Sequence, residues 1–283
     1  MSRIAYVNGA YVPMDMATVH IEDRGYQFAD GVYEGITVKD GKLVDLEPHL
    51  DRLERSLREL KIHMPMARAP MEIVFKETVR RNRLQDAFLY IQVTRGVARR
   101  DHPFPAGAVS TLVVTARRLD LAGIKARAET GIKVSSQPDI RWGRCDVKSI
   151  SLLPNILAKQ AAREAGGFEA VLYDAEGNVT EGSSTNIWMV TADGTLITRS
   201  TDDNILPGIT RATLMAIARE LQMKVETRAF TLDEAKSAAE MFLTSSTSCA
   251  MPIVQFDDAV IGDGTPGTAA KRLAEAYWAY MDN

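Results

Sequence analysis

Alternating apolar and polar positions mark the strands of the chain. Two short alternating runs flank Asn8-Gly9, and two more flank Asp40-Gly41. Asn, Asp and Gly tolerate the positive φ of a tight primed turn, so both places predict β-hairpins. The predicted strand ranges are 4–12 around the first turn, 33–38, 42–46, 88–94, 110–116, 132–136, 170–173, 185–190 and 195–198.

A second pattern, with apolar residues three and four positions apart, marks the helices. Leu50, Leu53, Leu57 and Leu60 recur at this spacing behind Pro48. Proline suits the first turn of a helix because its missing N–H has no partner there. The predicted helix ranges are 48–62, 70–83, 155–165, 208–221, 232–239 and 268–280.

The order of these elements predicts an α+β fold. Helices and hairpins come in clusters, whereas a parallel sheet requires strands and helices that alternate strictly. The stretch RRLDLAGIKA, residues 117–126, shows neither period and is the best candidate for a boundary. We therefore predict an N-terminal α+β domain over residues 1–118, a linker over 119–124 and a C-terminal domain over 125–283.

Charge and cysteine content exclude several classes of protein. The chain has 34 basic and 37 acidic side chains and a net charge of -3, which argues against a nucleic-acid partner. Cys145 and Cys249 lie far apart, with no CxxC pair and no histidine at metal-ligand spacing, as in a reducing compartment. No signal-peptide core and no apolar stretch of about 18 residues occurs. We expect a cytoplasmic protein without a metal site or a membrane partner.

Lys148 has apolar sequence neighbours, whereas most of the other lysines lie in polar surroundings such as Lys39-Asp40 or Lys76-Glu77. It stands between Val147 and the run Ile150, Leu152, Leu153. Burial disfavours the charged form of an amine, and the neutral amine is the form that attacks an aldehyde. A surface lysine that extends its amine into water from a strand end would explain the same position. Position alone does not decide between the two.

Three further motifs carry groups suited to a phosphorylated heterocycle. Glu181 in TEGSSTN is a carboxylate that could keep a ring nitrogen protonated, or an exposed acid in a turn. LPGIT, 206–210, opens a helix whose first N–H groups lack partners and suit an anion. TSSTS, 244–248, ends an apolar strand with hydroxyl groups that could bind phosphate or cap their own turn.

Two basic features complete the candidates. Arg52 in HLDRL lies off the apolar stripe of its helix, so it either faces solvent or binds a phosphate through its planar guanidinium. The loop VTRGVARRDHPFP gathers Arg95, Arg99, Arg100 and His102 in a chain of no overall basic character. Such a cluster suits a small carboxylate, although an exposed basic loop is the simpler alternative.

The motifs RGYQFADGVYE, HLDRL, TRG followed by RDH, RCDVKS, VTEGSSTN, LPGITR and TSSTS occur in one order. In that order they resemble the D-amino acid aminotransferases (D-alanine transaminases), fold-type IV pyridoxal-phosphate enzymes, over nearly the whole chain. The resemblance implies a smaller N-terminal α/β sandwich domain, a larger C-terminal β-barrel-like domain, a homodimer, and pyridoxal 5'-phosphate bound between the domains. Ala29 departs from the family's FGDG, and its methyl group is expected to shift the turn before Tyr33 slightly.

The resemblance also assigns roles to single residues. Lys148 resembles the Schiff-base lysine that later moves the substrate's proton, Glu181 the partner of the pyridine nitrogen, and Leu206 the aliphatic support of the ring. The cofactor-binding residues that it implies are Lys148, Glu181, Arg52, Leu206, Ile209, Thr210, Ser245 and Ser246. Tyr33, Arg100 and His102 resemble the substrate site, where the Arg-x-His pair binds the α-carboxylate and reaches across from the neighbouring subunit.

The activity that the resemblance implies is transamination between D-alanine, or a similar D-amino acid, and 2-oxoglutarate, giving pyruvate and D-glutamate. Branched-chain L-amino acid aminotransferases, (R)-amine transaminases and aminodeoxychorismate lyases of the same fold remain alternatives. We expect neither the branched-chain enzymes nor the lyases to place Arg-x-His at this position. From another class, a binding module that kept the phosphate site without the chemistry also remains open, and a purely structural dimer explains none of the polar motifs.

Overall fold

A computed structural model of the chain describes residues 3–201 and 204–282 and divides them into two compact units. Unit 1 is the chain up to Asp120 together with Val147–Ser151, and unit 2 is Leu121–Asp146 together with the chain from Leu152 onward. Unit 1 thus ends inside the predicted linker, and it also takes in a short segment that the sequence placed in the C-terminal domain. Residues 1, 2, 202, 203 and 283 of the predicted domains lie outside the described residues.

Unit 1 is a six-stranded antiparallel sheet with helices. Its strands are β1 (Ile4–Val7), β2 (Ala10–Pro13), β3 (Gly31–Lys39), β4 (Lys42–Leu43), β5 (Ala87–Thr94) and β6 (Thr111–Arg118), and its helices are α1 (Arg24–Phe28), α2 (Leu46–Glu59) and α3 (Arg68–Arg81). The order across the sheet is β2-β1-β6-β5-β3-β4. The hairpin predicted at Asn8-Gly9 is confirmed: both residues have positive φ, 44° and 99°.

The core of unit 1 lies between one sheet face and the two longer helices. The predicted leucine stripe of α2 is confirmed, because Leu50, Leu53 and Leu57 are each buried in the cluster that also holds Leu89 and Ile91 of β5. Alternate residues of β5 point to the opposite face, as a strand requires. This second face carries the side chains described below.

Ala29 occupies the left-handed region, with φ 55° and ψ 30°, at the C-terminal end of α1. Its N–H donates to the carbonyls of Arg24 and Gly25, which closes the helix. This is the conformation in which glycine is favoured, and a Cβ there costs roughly 1 kcal/mol. The chain therefore makes this turn with alanine, at a cost in strain.

Unit 2 is built on a nine-stranded mixed sheet that curls into a half-barrel. Its strands are β7 (Ile132–Pro138), β8 (Glu169–Tyr173), β9 (Val179–Gly182), β10 (Asn186–Val190), β11 (Leu196–Thr198), β12 (Val225–Thr227), β13 (Glu240–Ser245), β14 (Cys249–Phe256) and β15 (Ala259–Val260). Its helices are α4 (Leu121–Thr130), α5 (Leu153–Glu164), α6 (Ile209–Glu220), α7 (Leu232–Lys236) and α8 (Thr268–Asp282). With this sheet and the mixed elements of unit 1, the predicted α+β class is confirmed.

Helix α4 was not predicted: it begins at Leu121, inside the predicted linker, and ends at Thr130. This helix buries none of its residues, so it has no apolar stripe for a periodicity to reveal. Among the described residues, no helix is long and apolar enough to span a membrane, and no group of His, Cys, Asp and Glu side chains is arranged to hold a metal ion.

Candidate active site

Lys148 lies on the segment Val147–Ser151, which pairs with the first residues of β3. The N–H of Tyr33 donates to the carbonyl of Lys148 at 3.0 Å, and the N–H of Ile150 donates to the carbonyl of Gly31 at 3.1 Å. The Lys148 Nζ lies 4.3 Å from the centroid of the Tyr33 ring. The side chain of Lys148 is thus half-buried, with its amine against the face of an aromatic ring.

Tyr33 belongs to a row of polar and aromatic side chains on the outer face of the unit 1 sheet. Its ring stacks on Tyr90 with centroids 5.7 Å apart, and the Tyr90 hydroxyl donates to Oε1 of Gln92 at 2.8 Å. Burial, with a smaller contribution from Tyr33, raises the pKa of Tyr90 to about 12, so this hydroxyl is a donor at neutral pH. Tyr90 and Gln92 were not among the predicted residues, although their alternation in β5 places them opposite β3.

Arg52 is buried, so the alternative of a solvent-facing side chain is wrong. Its side chain is 7% exposed and donates to Glu34 through Nε and Nη2, each at 2.8 Å. His49 Nδ1 lies 2.7 Å from the same carboxylate. Burial raises the pKa of Glu34, but Arg52 and then His49 outweigh it and hold that pKa well below its ordinary value. Glu34 was missed because its partners lie on another element.

The predicted basic cluster after β5 divides into two parts. Arg99, Arg100 and His102 are exposed, which is compatible with a carboxylate site and also with the simpler alternative of an exposed basic loop. Arg95 is buried and donates to Asp30 through Nε at 2.7 Å and Nη2 at 2.9 Å, so it serves the fold and does not join the cluster. The guanidinium of Arg100 lies 4.6 Å from the centroid of the Phe28 ring.

In unit 2, Glu181 on β9 is buried, at 4% exposure, so the alternative of an exposed acid in a turn is wrong. Arg141 Nη1 donates to its Oε1, and Asn186 Nδ2 donates to its Oε2 at 3.1 Å. The N–H of Leu206 donates to both oxygens at 3.2 Å. Each donor favours the ionised carboxylate.

Arg141 is itself fixed by a second acid. It donates to Asp139 through Nε at 2.9 Å and Nη2 at 2.6 Å. Burial lowers the pKa of Arg141, but Asp139 and then Glu181 outweigh it, so the net shift is upward and the arginine is always a cation. Neither residue was among the predictions, because an irregular loop gives no periodic signal and their partner follows much later in the sequence.

The predicted phosphate contacts of unit 2 are the start of α6 and the turn after β13. Gly208 precedes the helix and provides no side-chain cap, so Ile209 and Thr210 begin it with N–H groups suited to an anion. A Cβ on Gly208 would lie 2.0 Å from Oδ1 of Asn186, so only glycine lets the amide approach the helix start. Asn186, the last residue of TEGSSTN, thus links Glu181 to this turn.

Ser245 shows the alternative role that the sequence allowed. Its hydroxyl accepts the N–H of Ser248 at 3.1 Å and lies 3.5 Å from the Thr247 hydroxyl, so it caps its own turn. Ser246 lies in the same turn between β13 and β14, and Leu206 reaches Glu181 through its backbone. Of the cofactor-binding residues predicted above, Lys148 and Arg52 belong to unit 1 and the others to unit 2.

Comparisons with known proteins agree with the resemblance. Residues 31–256 match the family described as amino-transferase class IV. The D-alanine aminotransferase of Bacillus licheniformis is 39% identical over 95% of this chain and 94% of its own length. The D-alanine aminotransferase of Staphylococcus haemolyticus is 35% identical over 98% of both chains.

A solved structure gives the same answer for the fold. The branched-chain aminotransferase of the thermophilic archaeon Thermoproteus uzoniensis, solved with norvaline, is 25% identical and superposes with a TM-score of 0.88, over 99% of this chain and 95% of that one. The predicted resemblance is therefore confirmed at the level of sequence and of fold. The chain belongs to the class IV aminotransferase family, whose members depend on pyridoxal 5'-phosphate.

Proposed function

We propose that this chain is a D-amino acid aminotransferase, which moves the amino group of D-alanine or a similar D-amino acid to 2-oxoglutarate and gives pyruvate and D-glutamate. The similarity to the D-alanine aminotransferases supports the substrate, and the observation that carries the pyridoxal-phosphate chemistry is Glu181. Arg141, Asn186 and the Leu206 N–H hold this buried carboxylate in place. An ionised acid inside a protein needs such partners, and a fixed carboxylate is what keeps a pyridine nitrogen protonated.

The residues present offer the chemical groups that pyridoxal 5'-phosphate requires. Lys148 offers the amine for its aldehyde, and Glu181 offers the anion for its ring nitrogen. Arg52 and the N–H groups of Ile209 and Thr210 are suited to its phosphate, together with the hydroxyls of the turn after β13. When bound, the cofactor supplies an electron sink for the negative charge that develops at the substrate's Cα.

The protein's own residues then bind, orient and move a proton. The Lys148 Nζ takes the proton from Cα of the D-amino acid and delivers it to the carbon that carried the aldehyde. The Tyr33 ring orients that amine. Arg100 and His102 bind the α-carboxylate, whose charge and planar shape suit a guanidinium. Water releases the 2-oxo acid, and the reverse sequence with the second oxo acid completes the cycle.

We further propose a homodimer in which Arg100 and His102 serve the neighbouring subunit. Both side chains are exposed. Large apolar side chains are exposed in each unit, including Tyr26, at 76%, and Leu153, at 66%. Leu153, Ile156 and Leu157 are neighbours on α5 and all three are exposed, and a contiguous apolar patch of this kind is typical of a surface that another chain covers. Sedimentation equilibrium gives the mass, and a monomer that turns over D-alanine contradicts this arrangement.

We place the enzyme in the cytoplasm. Cys145 and Cys249 are both buried and unpaired thiols, which suits a reducing compartment. Fractionation of the expressing cells, with the activity assayed in each fraction, checks this placement.

The first experiment is the visible absorption spectrum of the purified protein with pyridoxal 5'-phosphate, before and after D-alanine and, separately, L-alanine or L-leucine. We expect the band of the lysine-bound cofactor to disappear with D-alanine only. A response to the L-amino acid alone favours the branched-chain alternative, which the likeness to the Thermoproteus uzoniensis structure makes the main rival. If reconstitution gives no band, the chain is not a pyridoxal-phosphate enzyme.

Replacement of the reacting amine gives the sharpest control. Lys148→Ala removes both the attachment point and the base, so turnover should fall by roughly a thousandfold or more. The matched control is Lys159→Ala, a lysine on α5 that pairs with Glu169 at 3.1 Å. Steady-state transamination by Lys148→Ala without added amine contradicts the assignment of Lys148, and equal loss in both variants indicates damage to the fold.

A further inference from the structure

The loop between β5 and β6 carries Arg100 and His102, the proposed carboxylate-binding pair, on backbone that has little regular structure. Both side chains are exposed, so burial of the pair itself does not fix them. A binding site of this kind is effective only if its donors are held close to their productive positions before the ligand arrives. The backbone of the loop therefore needs an anchor.

Arg24 supplies contacts that fit this role. It lies at the start of α1 and is 4% exposed. Its Nη1 donates to the carbonyl of Asp101 at 2.6 Å, and its Nη2 donates to the carbonyl of His102 at 3.2 Å. One rigid guanidinium thus binds two successive carbonyls in the segment that carries the pair.

The anchor is tied to the rest of unit 1 through Asp30. Arg24 Nε donates to Asp30 Oδ2 at 2.7 Å, and Arg95 donates to both oxygens of the same carboxylate. Burial raises the pKa of Asp30, but Arg95 and Arg24 outweigh it and hold that pKa below its ordinary value. Arg95 also donates to the carbonyls of Leu60 and Lys61, just after α2. The loop is therefore connected to a helix through two arginines and one acid.

Phe28 adds a contact to the side chains themselves. Its ring centroid lies 4.6 Å from the Arg100 guanidinium, 4.8 Å from that of Arg24 and 5.7 Å from the His102 ring. Contact with an aromatic face orients a guanidinium without using its N–H donors. The ring thus orients the guanidinium of Arg100 and leaves its N–H groups available to a carboxylate.

We propose that Arg24 is a positioning residue for the substrate's α-carboxylate: by binding the carbonyls of Asp101 and His102 it sets the loop, and with Phe28 it sets the direction of Arg100 and His102. The proposal rests on the proposed function, because it takes the Arg100 and His102 pair as the carboxylate site. Arg24 itself touches no substrate.

The test compares Arg24→Met, Arg24→Lys and the wild type with D-alanine as substrate. For Arg24→Met we expect KM for D-alanine to rise roughly tenfold, because two hydrogen bonds from a charged donor are lost, while kcat changes by less than about twofold. Lysine keeps the charge beside Asp30 but cannot bind two carbonyls at once, so Arg24→Lys should give a smaller rise. It also keeps the experiment interpretable if Arg24→Met does not fold.

Inhibition by propionate is the second measurement, since propionate offers a carboxylate without an amine. Its inhibition constant should rise in parallel with KM, whereas the affinity for pyridoxal 5'-phosphate should not change. The control is Arg199→Lys, a buried arginine of unit 2 that donates to Asp174 at 3.0 Å. It should lower the melting temperature without changing either constant.

The outcomes separate the two proposals. Parallel rises in KM and in the propionate constant support the positioning role. Unchanged constants in Arg24→Met, a fall in kcat alone, or the same rises in Arg199→Lys overturn it. A wild-type enzyme that does not transaminate D-alanine overturns the proposed function first, and the positioning role with it.

Discussion

The two units use the same pair of charges in opposite ways. In unit 1 the group assigned to the cofactor is a cation, Arg52, and the acid Glu34 holds it. In unit 2 the assigned group is an acid, Glu181, and the cation Arg141 holds it. Each supporting side chain is at most 7% exposed and is bound through more than one atom, so in both units a charge assigned to the cofactor is accompanied by a fixed opposite charge.

The two supporting residues, Glu34 and Arg141, also differ in the number and charge of their other partners. Glu34 has two basic partners, Arg52 and His49. Arg141 has two acidic partners, Glu181 and Asp139. Removal of the support therefore leaves surplus positive charge in unit 1 and surplus negative charge in unit 2.

Glu181→Gln should have the largest effect on the reaction. An amide cannot hold a ring nitrogen in its protonated form, so we expect kcat for D-alanine to fall by roughly a thousandfold, the upper range for one electrostatic contact. Glu176→Gln, a change of an exposed acid in the same unit, is the matched control and should leave kcat unaltered. If kcat of Glu181→Gln stays near that of the wild type, Glu181 does not serve the cofactor.

Arg141→Met should mainly affect stability and the pH profile. The buried carboxylate of Glu181 and the partly buried carboxylate of Asp139 lose their cation, so we expect about 3 kcal/mol less free energy of unfolding in urea. Without that cation the ionised form of Glu181 is less favoured. The acid limb of the kcat profile should then move to higher pH, and Arg141→Lys should move it less. An unmoved limb would mean that Arg141 has no influence on the acid.

Glu34→Gln should weaken the binding of the cofactor without changing the rate of the reaction. Arg52 loses its bidentate partner and the geometry that points it, so the Kd of pyridoxal 5'-phosphate should rise roughly tenfold, about 1.4 kcal/mol. Equilibrium dialysis measures this constant, and kcat at saturating cofactor should stay within about twofold of the wild type. An unchanged Kd would show that Arg52 does not bind the phosphate of the cofactor.

Glu34→Gln should also change how the stability of the protein depends on pH in acid. The pKa of Glu34 is lowered in the folded state, so its contribution is fully present above the ordinary value of 4.5 and is lost as pH falls towards the folded value. The free energy of unfolding of Glu34→Gln should therefore decline less steeply below that pH than that of the wild type. Equal slopes in urea titrations across this range would contradict the assignment.

Arg68→Ala should have the smallest effect, although Arg68 contacts three acids. It bridges Glu47, Asp51 and Glu54 at the surface of unit 1, at distances of 2.6–3.0 Å. Water and salt screen exposed pairs, so we expect no resolvable shift in melting temperature. A clear loss of stability would show that the number of ion pairs matters more than their burial, and would weaken the comparison of the two units.

The sequence predicted what local chemistry determines. Asn8-Gly9 specifies its own hairpin, and the leucines of α2 specify its buried face. It did not predict Arg141 or Glu34 as supports, because their partners come together only through tertiary pairing. Helix α4 was not predicted either, because none of its residues is buried and its sequence therefore has no apolar stripe. The membership of Val147–Ser151 in unit 1 was also missed, since backbone pairing at long range leaves no mark in composition.

The pairing of Val147–Ser151 with unit 1 affects how a fragment of this chain behaves when it is expressed alone. On the side of β3 away from β5, β4 covers only Val38 and Lys39. Near Gly31–Tyr33 the backbone pairs with Lys148–Ile150 instead. A fragment that stops at Asp120 would leave this strand edge bare, and bare edges template pairing between chains. Such a fragment should aggregate on expression, and appending residues 147–151 through a flexible linker should restore a dispersed product.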